Sequence, residues 1–83
     1  MEIDLVWLAE RVGRIDTLFR RGRRTDLPEQ LCELAEGLPP EVPADGFRDA
    51  SALAASGRFV DAWNEYNRAL SDFFRLMRTG ADR

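Results

Sequence analysis

Large apolar residues recur along the chain at the period of a helix, and nowhere do they alternate with polar residues as a half-buried strand requires. Leu5, Leu8, Val12, Ile15 and Phe19 step by three, four, three and four, which predicts a helix over residues 2–21. Leu27, Leu31, Leu34 and Leu38, with Ala35 beside them, predict a second over 27–36. Asp26 is placed to cap it, Glu29 to complete a capping box, and Pro28 falls in the first turn, where its missing N–H does no harm. Gly37 is the expected left-handed residue at its end. A third helix is expected over 46–56, capped by Asp45, with Phe47 near its start and an alanine-rich body. The fourth, over 58–78, rests on the strongest pattern: Phe59, Trp63, Tyr66, Leu70, Phe73 and Met77 on one stripe, with Phe74 beside them. Trp63, Tyr66, Leu70 and Phe73 are the expected centre of the core.

Helix breakers divide these segments. Residues 37–43 read Gly-Leu-Pro-Pro-Glu-Val-Pro, a run that favours an extended linker, and Gly57 punctuates the second half. The expected fold is all-α: four helices in two antiparallel hairpins forming a small bundle. Residues 1–83 make one helical domain, with hairpin 1 at 2–37, a Pro-rich linker at 38–44 and hairpin 2 at 45–79. A chain of 83 residues buries little more than ~60% of its unfolded surface, so the margin of stability is thin. Thr79 to Arg83 read as a polar tail or as the start of a linker.

The stretch Leu53 to Leu70, LAASGRFVDAWNEYNRAL, resembles the turn and second helix of a tetratricopeptide repeat. Gly57, Phe59, Ala62, Tyr66 and Ala69 stand in the register of that family's glycine, aromatic and small positions. The resemblance implies a single repeat-like hairpin over about residues 46–73, and makes hairpin 2 tetratricopeptide-like. The pattern departs at Asp49, where a large apolar residue is usual, and at Phe74, where a closing proline is common.

Composition removes most chemistry. There is no histidine, hence neither the commonest general base nor the commonest metal ligand. Cys32, Ser51, Ser56 and Ser71 have no histidine or lysine to activate them, so the chain is not expected to be an enzyme. Glu29, Glu33 and Glu36 lie along one helix as a solvated face rather than a metal site, and no glycine-rich phosphate loop occurs; no cofactor and no metal are expected. The single cysteine, expected as a small buried residue, fits a reducing compartment. No apolar run approaches the ~20 residues of a membrane span, and Glu2 and Asp4 stand where a signal peptide carries positive charge. The expected location is therefore the cytoplasm. All twelve basic residues are arginine, a bias that a GC-rich bacterial or phage genome produces.

Charge is distributed by segment. Residues 1–24 carry six arginines and four acids, residues 25–46 six acids and no arginine, and residues 47–83 six arginines and five acids. The cluster Arg20, Arg21, Arg23 and Arg24 resembles a phosphate-contacting patch, but a net charge of −3 makes a poor general nucleic-acid binder. Trp7 and Leu18 lie off the main stripe of the first helix, framed by Arg11 and Arg14. Tryptophan and arginine are the residue types enriched at binding hot spots. Trp7, Arg11, Arg14 and Leu18, extended by Arg20 and Arg21, are therefore the expected partner-binding face. The function these features imply is non-enzymatic protein binding, as an adaptor or regulatory subunit in a bacterial system, with self-association allowed but not required. The alternatives are a phage or mobile-element inhibitor that blocks a host complex, and a nucleic-acid-binding regulator acting through Arg20–Arg24. A fallback face on the second hairpin centres on Arg58, Glu65 and Arg68.

Overall fold

The computed structural model describes the backbone of residues 3–23 and 25–81, and side chains as far as Arg78. Among these residues the chain forms helices and no strand: α1 (Leu5–Arg21), α2 (Leu27–Gly37), α3 (Asp45–Ala55) and α4 (Phe59–Ala81). Each helix packs on the next in chain order, giving an all-α bundle 40 × 21 × 19 Å in extent. No described helix is long and apolar enough to cross a membrane.

α1 starts later than its apolar stripe suggests, because Asp4 caps it. The Asp4 carboxylate accepts the N–H groups of Val6 and Trp7 at 3.0 and 3.1 Å. The helix ends at Gly22, whose φ of 66° lets Arg23 N–H reach back to the Leu18 carbonyl at 3.0 Å. The glycine inside the arginine cluster is thus a helix stop. Gly57, with φ 82°, ends α3 in the same way, Arg58 N–H reaching the Leu53 carbonyl at 2.9 Å.

The start of α2 departs from expectation. Asp26 is itself in helical conformation (φ −91°, ψ −20°) and makes no capping hydrogen bond, so the capping box with Glu29 does not form. Its carboxylate meets Arg23 instead, at 3.4 Å. Gly37 is also not the left-handed residue expected: it is the last residue of the helix, and extended Leu38 ends it. Gly37 is needed for another reason. The indole of Trp7 lies directly over it, so that a Cβ at this position would collide with the ring. Gly37→Ala therefore trades a helix-propensity gain of up to ~1 kcal/mol against a displaced indole. The expected net effect is a loss of roughly 1 kcal/mol in a denaturant melt. In a Trp7→Ala background the same change should become neutral or stabilising, because the clash is gone.

The proline-rich segment between α2 and α3 is part of the core rather than a spacer. Leu38, Val42 and Ala44 are buried, and Val42 N–H closes a turn on the Pro39 carbonyl at 3.0 Å. α3 begins at Asp45, one residue earlier than predicted, so Asp45 does not cap it; it reaches Arg48 at 3.7 Å instead. The Ser51 hydroxyl donates to the Pro28 carbonyl at 2.7 Å, tying α3 to α2.

The largest fully buried side chains are Tyr66, Phe47, Ile15, Leu27, Leu31 and Leu34. Two corrections to the predicted core stand out. Trp63 and Leu70 are only half-buried, while Ala62 is completely covered; and Leu5, at the head of the α1 stripe, is 61% exposed. The pattern on α4 follows from how α3 docks. Its small residues Gly46, Ala50 and Ala54 allow close approach to α4, and a Cβ on Gly46 would lie 2.7 Å from the Cβ of Ala69. The small side of α4 is drawn inward, and the outer half of its aromatic stripe is left at the surface.

Candidate functional site

Of the six residues of the predicted partner face, Arg14, Arg20 and Arg21 are exposed and Trp7, Arg11 and Leu18 are partly buried. Trp7 and Leu18 pack against the core beside α2, and Trp7 covers Gly37. Arg11 is turned onto α2 as well, donating to Glu33 at 2.8 Å and to Gln30 at 3.1 Å. This flank of α1 is therefore partly covered by α2. Arg14, Arg20 and Arg21 are exposed and make no ion pair with any described residue. Of the remaining arginine cluster, Arg23 is engaged with Asp26, and Arg24 lies outside the described residues. The fallback residues are paired locally: Arg58 with Asp61 at 2.6 Å, and Arg68 with Glu65 at 2.5 Å. Cys32 is half-buried rather than in the core, its thiol 3.7 Å from the Glu36 carboxylate.

The opposite flank of α1 is open. Near the end of α1, Phe19 meets Trp63 near the start of α4 edge-to-face, with ring centroids 4.9 Å apart, and stacks on Tyr66 at 5.7 Å. The end of α1 thus meets the start of α4. Between them lies a shallow cleft of about 330 Å³ lined by Phe19, Arg20, Phe59, Val60 and Trp63. Val60 at its edge is 74% exposed.

Beyond the cleft each of the two helices carries a partly exposed stripe of its own. On α4, Val60, Trp63, Asn67, Leu70 and Phe74 follow one another by three, four, three and four. On α1, Leu5, Ala9, Gly13, Asp16 and Arg20 step by four, four, three and four, with Val6 alongside. Four of the most exposed large apolar side chains, Leu5, Val6, Val60 and Phe74, lie on or beside these two stripes. The cleft is legible only in part in the sequence: the α4 stripe is apolar, but periodicity does not say which half of a broad stripe another helix covers.

A second cleft, of about 270 Å³, lies between α3 and the later part of α4, where Val42, Pro43, Phe73 and Leu76 wall it and Asp45, Glu65, Arg68 and Asp72 rim it. Its charges are mixed and largely self-paired. Beneath the aromatic cluster the Tyr66 hydroxyl is buried without a hydrogen bond of ordinary geometry. Burial raises its pKa well above the usual phenol value, and the nearby Asp16 carboxylate raises it further. Among the described residues no group of three or more acidic, cysteine or histidine side chains is placed to hold a metal ion. No family model, curated protein or solved structure matches the chain.

Proposed function

We propose that the protein is a non-enzymatic protein–protein interaction module of adaptor or regulatory type, acting in the cytoplasm of a bacterial system. The observation that carries this reading is the apolar cleft between the end of α1 and the start of α4, where Val60 stands exposed beside the Phe19–Trp63 pair with Arg20 at the rim. Covering a side chain of this kind contributes roughly 1.5–3 kcal/mol, and a contiguous apolar patch on so small a chain marks a surface meant to be covered. Aromatic side chains beside an unpaired arginine are the usual composition of a binding hot spot. The α3–α4 hairpin, read as tetratricopeptide-like, supports the same function. Gly57 supplies its left-handed turn, and Ala62 and Tyr66 are buried in the bundle core.

The test is site-specific photo-crosslinking in cells. A photoreactive side chain at Val60 should give a discrete protein adduct, whereas one at exposed Glu29 on α2 should not. No adduct at position 60, or the same adducts at both positions, would sink the reading.

A further inference from the structure

The side chains of the cleft between the end of α1 and the start of α4 restrict what can fill it. Four of its five lining residues are apolar or aromatic: Phe19, Phe59, Val60 and Trp63. The three rings are half-buried, and Phe19 and Trp63 brace each other edge-to-face at 4.9 Å. They are therefore held in place before a partner arrives, which lowers the entropic cost of covering them. The volume of about 330 Å³ lies at the small end of the range for binding clefts, with room for a large side chain or two.

The polar groups of the lining are all donors. Arg20 offers the N–H groups of its guanidinium and Trp63 its indole N–H; neither side chain holds an acceptor, and Phe19, Phe59 and Val60 have no polar side-chain atom. Neither donor group is hydrogen-bonded to a described residue; the bond that Asn67 makes to Trp63 ends on the backbone carbonyl. The neighbouring acids are engaged elsewhere. Asp16, one turn before Arg20 on the same side of α1, forms no ion pair with it and lies beside the buried Tyr66 hydroxyl. Asp61, next to Val60, is held by Arg58 at 2.6 Å. The one charge that lines the cleft, on Arg20, thus has no partner among the described residues.

We infer that the cleft binds an acidic segment of another protein, which seats an aliphatic or aromatic side chain between Phe19, Val60 and Trp63 and sets a carboxylate on Arg20. A carboxylate matches the planar fork of a guanidinium and carries the single charge that one arginine balances. A phosphate group carries nearly twice that charge and calls for further cations, whereas Arg21 lies about 100° away around α1. The net charge of −3 opposes a nucleic acid at this site. The inference rests on the interaction-module reading and names the chemistry of the partner at the same cleft.

Selection of short random peptides, displayed on phage, against the whole chain tests it. Recovered peptides should carry leucine, phenylalanine or tryptophan close to aspartate or glutamate. Replacing that acid by its amide should weaken binding about tenfold or more, and so should Val60→Glu in the protein. Selection repeated on Arg20→Glu should turn from acidic to basic peptides. Arg14→Glu, about 120° around α1 from Arg20, should leave the acidic preference unchanged. Val60 and Arg20 are exposed, so these variants should keep the wild-type helical circular dichroism. Recovered peptides without an acid overturn the inference, as does an acidic preference that survives Arg20→Glu. Failure to recover any peptide that Val60→Glu weakens also overturns it. A chain that sediments as a dimer and is dissociated by Val60→Glu gives the cleft to a second copy and does the same. If one of these holds while Val60 crosslinks to another protein in cells, the acidic partner falls and the interaction-module reading stands. No discrete adduct at Val60 removes that reading, and this inference with it.

Discussion

Tyr66→Ala should remove a large part of the folding stability, whereas Tyr66→Phe should raise the melting temperature. Tyr66 is fully buried and touches rings from two other helices, Phe19 of α1 and Phe47 of α3, the latter at 6.1 Å between centroids. Removing such a ring leaves a cavity and costs on the order of 3–5 kcal/mol. A domain of this length has a total of roughly 4–12 kcal/mol to lose. The phenylalanine variant keeps the ring and removes only a hydroxyl that is buried without a proper partner. An unsatisfied buried hydroxyl is a net cost, so its removal should gain about 1 kcal/mol. A pH series separates the two contributions. Below pH ~10 the tyrosine is neutral in both folded and unfolded chains. Above that, the unfolded chain loses the phenolic proton while the folded chain, with its pKa raised by burial and then by Asp16, keeps it. The folded state then binds more protons than the unfolded one, and stability falls by up to about 1.4 kcal/mol per pH unit as pH rises above ~10. The sequence has one tyrosine and no lysine, so little else titrates in that window. Wild type should therefore lose stability steeply from pH 10 upward, and Tyr66→Phe should not. Parallel curves for the two proteins would show that the hydroxyl is solvated after all.

Apolar periodicity placed four helices within a few residues of their true ends, because a stripe such as Leu27, Leu31, Leu34 needs no partner to be recognised. Local chemistry was less readable. Asp4 and Asp26 are both plausible caps, yet only Asp4 caps, since Asp26 has helical backbone angles and an arginine to meet. Gly22, Gly37 and Gly46 also look alike in the sequence. They serve as a left-handed stop, a seat for Trp7 and a contact for Ala69 respectively, and the last two depend on residues distant in the chain. The candidate site suffered from the same limit. Trp7 and Leu18 stand off the main stripe in the sequence, but the side of α1 that α2 covers is a tertiary fact. Once α2 takes that side, the opposite side is the open one, and the aromatic residues beside Val60 become the surface.

Gly46→Leu should be the most damaging of the glycine substitutions, with a loss at or above the top of the ~1–3 kcal/mol typical of overpacking. The atom that a Cβ at residue 46 would meet is the Cβ of Ala69, at 2.7 Å, with the Ala69 Cα at 3.6 Å. Carbon atoms in contact prefer ~3.5–4.0 Å, so the shortfall is about 1 Å. Neither Ala69 atom can swing aside as the end of a long side chain could; only movement of α4 as a whole relieves the clash. That movement would loosen Phe47, Tyr66 and Phe73 at once, since all three are buried at this junction. Helix propensity works the other way but returns at most ~1 kcal/mol, less than the packing loss. The melting temperature should fall by several degrees for each kcal/mol lost, as it does for domains of this size. The contact can be tested reciprocally: Ala69→Gly should recover a large part of the stability lost in Gly46→Ala, although glycine in the middle of α4 is itself unfavourable. If Gly46→Ala and Ala69→Gly instead add independently, the close approach of α3 to α4 is not what rotates the aromatic stripe outward.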